Sequence, residues 1–193
     1  MSHLDRKIRE KEAVKNSIFC AARKIASKEG WSAVTIRKIA DAIEYTPPIV
    51  YEYFDSKEDL FKELVYLGFK IIRDSIENIK KQATAPKEFL SLLALGQWDF
   101  ASNNPDLYQL MFSIERPVPN QEMTETFLAI KGAFLELANN DEELTLELMI
   151  NWACMVNGSI SFIMQNPPPN RKKIPWAPRD LYFKIINRFL NSI

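Results

Sequence analysis

Residues 35–61 read TIRKIADAIEYTPPIVYEYFDSKEDLF, and this stretch predicts two short helices joined by a tight turn, followed at once by a third helix. Apolar residues recur at helical spacing in the first piece, so it buries one face. The second piece begins after Thr46, whose side-chain oxygen suits an N-cap, with Pro47 and Pro48 in its first turn. Two helices joined in this way form a helix-turn-helix, which lays its second helix in the major groove of DNA.

The order of residues around this stretch resembles the tetracycline-repressor (TetR) family of transcriptional regulators. The resemblance runs from about Lys11 to Phe69, through IFCAARKIASKEGWSAVTIRKIADAI and IVYEYFDSKEDLF. Its most specific part is the combination of Thr35, Ile39-Ala40, Tyr51-x-Tyr53-Phe54 and Ser56-Lys57-Glu58. Glu44 and Pro48 depart from the pattern, because the family usually has glycine at both positions. The turn at Glu44 favours a positive φ, which glutamate adopts reluctantly.

The composition indicates a folded, all-α protein. Of the 193 residues 47% are hydrophobic and 26% charged, and only five are glycine. Amphipathic stretches and helix-capping signals predict about nine helices and no strands. We expect a three-helix DNA-binding domain over residues 1–62, with the motif at about 35–54. The resemblance implies that residues 63–193 form a larger helical domain for effector binding and dimerisation.

Several helix boundaries can be predicted from capping signals. The first helix should run from about Leu4 to Lys28 and stop at Gly30. Ser56 with Asp59 three residues later predicts the start of a long fourth helix. Asn104 followed by Pro105 predicts a cap and the start of a shorter helix.

The net charge of zero does not favour nucleic-acid binding, but the distribution of charged residues along the chain does. Residues 1–40 contain ten basic and four acidic side chains. A basic N-terminal part joined to a neutral or acidic remainder is typical of a small DNA-binding domain attached to another domain. For any single N-terminal lysine or arginine, solvation of an exposed helix face is an equally good interpretation.

Matching positions in the family predict the DNA-binding residues. They are Thr35, Arg37, Lys38, Thr46, Pro47, Pro48, Ile49, Tyr51, Tyr53 and Lys57. Thr35 and Lys57, at helix N-termini, are candidates for phosphate contacts, and Arg37 is a candidate for a guanine edge. Prolines offer no hydrogen-bond donor, so the leading edge of the second helix would use apolar contacts or shape. The alternatives are a plain N-cap at Thr35, a solvated Arg37, and core packing for the two tyrosines.

Large apolar side chains in the second half predict an effector pocket, because such residues often line one in this family. They are Phe100, Tyr108, Met111, Phe112, Trp152 and Met155, with Asn157 as a polar anchor. For each of them singly, ordinary core packing is the alternative. The resemblance also implies a homodimer through the last two helices, 144–165 and 180–191.

An enzyme, a metal site and a cofactor are not predicted. The only histidine, His3, falls in an N-terminal tail, and no glycine-rich phosphate loop or metal-ligand cluster is present. Cys20 and Cys154 lack metal spacing, and both sit in apolar helical stretches. We therefore expect buried, reduced thiols in a cytoplasmic protein. No apolar run reaches the roughly 18 residues that a membrane span needs.

The sequence therefore predicts a DNA-binding transcriptional regulator, a repressor released from a pseudo-palindromic operator by a small apolar or amphipathic molecule. The partners are double-stranded operator DNA, a second copy of the chain and an effector. One alternative is a helical small-molecule carrier or partner-binding module that does not use the DNA motif. Another is an activator or a nucleoid-type binder without an effector.

Overall fold

The computed structural model describes residues 3–112, 119–165 and 178–193, which form helices and no strands. The helices are α1 (His3–Glu29), α2 (Ile36–Ala42), α3 (Pro47–Tyr51), α4 (Lys57–Gln82), α5 (Pro86–Asn103), α6 (Pro105–Met111), α7 (Gln121–Leu137), α8 (Glu142–Gln165) and α9 (Pro178–Leu190). A single 3₁₀ turn, Trp31–Ala33, connects α1 to α2. The all-α prediction with about nine helices is confirmed for the described residues. The predicted N-terminal tail at His3 is wrong, because α1 begins there.

The chain divides into two compact units. The first comprises Met1–Gly68 with Asn104–Pro117, and the second comprises Phe69–Asn103 with Val118–Ile193. The predicted domain boundary at residues 62/63 stays a prediction. The units differ from this prediction in one respect, because α6 belongs to the first unit although the segments before and after it in sequence belong to the second.

The core of the first unit is built on α1. Ile18, Ala22, Ile39 and Val50 are fully buried, and the rings of Phe19 and Phe54 lie 5.5 Å apart between centroids. Gly30 ends α1 with a φ of 84°, as the sequence predicts. The apolar stripe of α1 therefore carries the helix-turn-helix on one side.

Helix α6 is fastened to α1 by a charged contact. Arg23 donates to both carboxylate oxygens of Asp106, at 2.7 and 3.1 Å, and to the side-chain oxygen of Asn104 at 3.0 Å. Trp31 donates its indole N–H to the Asp106 carbonyl at 2.8 Å. The bond to Asp106 raises the pKa of Arg23. Asn104 is the N-cap residue of α6 with Pro105 at the first helical position, as predicted, but its side chain makes no cap bond and instead accepts from Arg23.

The core of the second unit lies between α5, α7, α8 and α9. Tyr182 is fully buried and donates its hydroxyl to the Ala94 carbonyl at 3.0 Å. Phe134, also fully buried, meets Trp152 edge-on with ring centroids 5.9 Å apart. These contacts between distant segments hold the helices of this unit together.

Helix α8 exposes a ridge of side chains, which we call the α8 ridge. Its members recur every four residues and are all exposed: Leu146, Ile150, Cys154, Gly158 and Phe162. The apolar side chains at its ends are 56%, 55% and 69% exposed, for Leu146, Ile150 and Phe162 respectively. The prediction of buried thiols is wrong: Cys154 lies on this ridge and Cys20 is exposed on α1. An apolar sequence neighbourhood does not determine which side of a helix faces a core.

One helix of the described residues is long and apolar enough to cross a membrane by these two criteria alone. It is Glu142–Met164 in α8, and 33% of its most apolar window is buried inside the protein. The sequence prediction of no such segment required a continuous apolar run, and that requirement is too strict. Core helices of bundles meet the same criteria, and α8 packs against α7 and α9.

Two glycines in helices differ in the space around them, which gives a first prediction. A Cβ atom at Gly68 would overlap the end of the Met111 side chain, which is 2% exposed and would have to shift within the core. At Gly132 a Cβ would meet no atom within 4 Å. We expect Gly68→Ala to destabilise the protein by about 1–2 kcal/mol and Gly132→Ala to stabilise it by up to about 1 kcal/mol. Urea unfolding of both variants measures this, and equal effects of the two substitutions would contradict the packing of α6 on Gly68.

Candidate nucleic-acid interface

The turn between α2 and α3 is closed by backbone bonds. The Tyr45 amide donates to the Ala40 carbonyl at 3.0 Å, and the Glu44 amide donates to the Asp41 carbonyl at 3.3 Å. Glu44 has a φ of 61°, in the left-handed region. The structure thus has the positive φ that the sequence pattern calls for, and glutamate adopts it where glycine would do so without steric cost.

The two N-caps of the motif behave differently. Thr35 caps α2 as predicted, because its hydroxyl accepts from the Lys38 amide at 3.2 Å. The predicted cap bond of Thr46 is wrong, since its side chain makes none. A cap side chain bonds the amide of the second or third helical residue, and Pro48 has no amide hydrogen. The next amide, that of Ile49, donates to the Thr46 main-chain carbonyl at 3.0 Å.

The predicted DNA-binding residues all lie in the first unit and share access to solvent. The exposed ones are Thr35, Arg37, Lys38, Thr46, Pro48 and Tyr51, and the half-buried ones are Pro47, Ile49, Tyr53 and Lys57. Fully buried residues, among them Ile39, Ala40 and Val50, hold the motif from behind. The motif therefore presents its polar and aromatic residues to solvent while its apolar face fills the core.

The structure changes the set of candidate DNA-binding residues at two positions, Lys38 and Tyr45. The ammonium of Lys38 lies 2.7 Å from the Glu29 carboxylate, so any DNA contact must compete with this exposed ion pair. Tyr45 is 45% exposed at the turn and was not predicted. Turn residues have no helical periodicity, so no sequence pattern singles out Tyr45.

Two lysine side chains lie over aromatic rings near the end of the motif and at the start of α4. Lys11 lies over the ring of Tyr53, with Nζ 5.9 Å from the centroid, and Lys57 lies 5.2 Å over Phe61. Partial burial, with smaller effects of Glu52 and Tyr45, raises the pKa of Tyr53. Its hydroxyl therefore remains a neutral donor. Ser56 caps α4 by accepting from the Asp59 amide at 3.0 Å, which confirms the predicted helix start beside Lys57.

The predicted pocket residues divide between the two units. Tyr108 and Met111 lie in α6 and Phe112 follows it, all in the first unit, where the rings of Tyr108 and Phe112 lie 4.5 Å apart. Burial raises the pKa of Tyr108. Asn157 is half-buried and donates to the Ala153 carbonyl of its own helix at 2.9 Å, so one of its two amide hydrogens is already used.

The remaining three pocket candidates lie in the second unit, in α5 and α8. Phe100 and Trp152 are buried, and Met155 is half-buried. Sequence reasoning missed two buried residues of this unit, Gln97 in α5 and Phe134 in α7. Gln97 could have been noticed as a polar residue within a continuous apolar run.

Comparison with known proteins gives matches to both the motif and the fold. Residues 18–64 match the family described as bacterial regulatory proteins, tetR family. A stretch of 100 residues is 24% identical to the HTH-type transcriptional repressor NicS of Pseudomonas putida, covering 52% of this chain and 47% of NicS. The chain thus spans about half the length of this curated relative.

Two solved structures share the fold over nearly the whole chain. A TetR-family transcriptional regulator from Bordetella parapertussis has a TM-score of 0.68 at 17% identity, covering 92% of this chain and 94% of that one. The regulator FadR from Bacillus subtilis, in complex with stearoyl-CoA, has a TM-score of 0.64 at 16% identity, covering 92% and 98%. The chain is therefore similar to the tetR family of bacterial regulatory proteins over residues 18–64, and it shares the overall fold of these two structures.

Proposed function

We propose that this protein is a dimeric DNA-binding transcriptional regulator that represses from a pseudo-palindromic operator and is released by a small apolar or amphipathic effector. The observation that carries the DNA-binding part is the exposed set on α2 and α3, held from behind by a fully buried apolar face. The repressing direction is supported by the similarity to NicS, which is named a transcriptional repressor. A bacterial operator lies in the cytoplasm, so we place the protein there.

The exposed residues suit two kinds of DNA contact. Arg37 is exposed on α2, and a guanidinium can bond two acceptors of guanine in the major groove. The Thr46 hydroxyl, which makes no cap bond, and the 53% exposed Tyr51 are suited to phosphate oxygens. Lys57 adds a cation at the N-terminus of α4, where the helix dipole also attracts anions.

The α8 ridge supports dimerisation with a second copy of the chain. Large apolar side chains stand at its ends, while Cys154 and Gly158 are small residues at its centre. Rows of residues four apart are the ridges by which helices pack into each other's grooves, and small central residues allow close approach. Two copies related by a two-fold axis would cover this surface and set the spacing of two DNA-binding motifs. We therefore attribute the exposed apolar residues of α8 to a protein interface.

Effector binding is supported by the B. subtilis regulator, whose structure contains stearoyl-CoA. In this chain the buried aromatic residues of the second unit supply apolar surface of the kind that small-molecule sites use. An effector would release DNA if it bound the DNA-incompetent conformation more tightly, because only differential affinity shifts such an equilibrium.

DNA-contact variants test this proposal. Genomic fragments that bind the protein are selected first, and the bound sequence is then used for titrations at several salt concentrations. We expect Tyr51→Phe and Lys57→Ala to weaken binding to all sequences, and Lys57→Ala to reduce the salt slope by about 1. Arg37→Ala should also relax the preference at one base pair, by roughly 1–3 kcal/mol.

Lys70→Ala is the matched control, because it also removes one positive charge from α4 but lies in the second unit. It should leave the salt slope and the operator preference unchanged. The DNA-binding proposal is abandoned if no fragment is selected, or if the three variants bind as the wild type does while remaining folded. That result would favour a carrier or partner-binding module.

A further inference from the structure

Gln97 is a polar side chain in the middle of the buried face of α5. It is 8% exposed, and its neighbours one turn away on this face, Leu93, Ala94 and Ala101, are fully buried. No residue of the described ranges 3–112, 119–165 and 178–193 gives its side-chain oxygen Oε1 a hydrogen bond, although this atom is buried. A buried acceptor is thus left without a protein partner inside the second unit.

Thr126 and Thr145, the other buried polar residues in the described part of this unit, are satisfied locally, whereas the buried Nε atom of the half-buried Arg73 also lacks a hydrogen bond. The Thr126 hydroxyl donates to the Glu122 carbonyl at 2.8 Å, and the Thr145 hydroxyl donates to the Asp141 carbonyl at 2.6 Å. Gln97 has no such bond at Oε1. Leaving a buried acceptor unpaired lowers the stability of the free protein, whereas an apolar side chain of similar length would not. The glutamine therefore costs stability that a bound partner could restore.

We propose that Gln97 Oε1 accepts a hydrogen bond from an O–H or N–H group of the effector and so selects neutral amphipathic molecules that carry such a donor. This inference rests on the proposed effector response. The leucine and alanines around Gln97 suit an apolar body, while the lone acceptor fixes one polar end. A carboxylate or phosphate at that end offers only acceptors; it could accept from the Gln97 amide N–H groups, but it would leave Oε1 unpaired beside a desolvated charge.

Matched pairs of probes test the proposal. Dodecan-1-ol is compared with its methyl ether, and 4-butylphenol with its methyl ether, so that each pair keeps its body and loses only the donor. Dodecanoate serves as the acceptor-only probe. Affinity is measured by calorimetry, and release of operator DNA is measured with the same probes. For at least one pair, the wild type should bind the donor-bearing member about tenfold more tightly than its ether.

Two variants separate ligand selection from folding. Gln97→Met keeps the length of the side chain and removes the acceptor, so it should bind both members of a pair alike. Its ligand-free form should melt roughly 3 °C higher than the wild type, because no acceptor is left unpaired. Thr126→Val, at a buried and satisfied hydroxyl of the same unit, should melt no higher and keep the preference.

The outcomes distinguish this inference from the proposed function. Equal binding of both members by the wild type, tighter binding of dodecanoate, or a Gln97→Met protein that melts lower and keeps the preference would each overturn the role of Gln97. After any of these three outcomes, release of operator DNA by either member of a pair would still support the proposed effector response. If no probe binds while operator binding persists, the inference fails and the DNA-binding proposal remains.

Discussion

The double substitution Ile150→Glu and Phe162→Glu is expected to convert the proposed dimer into monomers and to lower operator affinity by at least about 100-fold. Both side chains belong to the α8 ridge and are more than half exposed in the single chain. In a dimer they would be buried, and four carboxylates would then be desolvated without partners. Loss of the dimer removes the effective concentration that one bound half gives the other. Analytical ultracentrifugation and operator titration measure the two effects.

Phe127→Glu is the matched control for this experiment, because Phe127 is a 51% exposed ring that lies on α7 and not on the α8 ridge. It should remain dimeric. Monomers from Phe127→Glu and dimers from the double variant would move the interface to α7. The substituted positions are on the surface of the chain, so every variant should fold. Circular dichroism of each variant checks this.

Phe134→Ala is expected to destabilise the protein by about 3–5 kcal/mol. Phe134 is fully buried and meets Trp152 at 5.9 Å and Phe189 at 6.5 Å between ring centroids. Removing the ring leaves a cavity between α7, α8 and α9 and takes a neighbour from each of the other two rings. Urea unfolding monitored by tryptophan fluorescence measures the loss.

Phe127→Ala gives the control on the same helix, seven residues away. Because Phe127 is half exposed, its replacement should change stability by less than about 1 kcal/mol. Similar losses for the two alanine variants would mean that the inward face of α7 has been assigned incorrectly.

The sequence predicted helix ends well where the cap depends only on neighbouring residues. Thr35 and Ser56 cap their helices as expected, and Gly30 ends α1. Thr46 and Asn104 have equally good cap signals but make no cap bond. At Thr46 the consecutive prolines remove the amide that a cap requires. At Asn104 a residue 81 positions away, Arg23, takes the side-chain oxygen.

The exposure of the DNA-binding candidates could be predicted, because exposure on a short helix follows from its periodicity, whereas their role in DNA binding stays a prediction. Two features could not be predicted, since they depend on contacts between distant segments. The ion pair of Lys38 with Glu29 joins residues on different helices. The division of the pocket candidates between two units follows from the packing of α6 on α1, which no local pattern of α6 encodes.

The attachment of α6 to α1 has a consequence for exchanging parts between relatives. The first unit, which we propose binds DNA, is discontinuous in sequence, since residues 1–68 are completed by Asn104–Pro117 after an excursion of 35 residues. A fragment cut at residue 62 would leave Arg23 and the Trp31 indole without their Asp106 partners and would uncover part of the apolar surface that α6 shields. Chimaeras that transplant only the contiguous N-terminal segment should therefore fold poorly. Those that carry a matched α6 with it should retain both the donor's operator choice and its solubility.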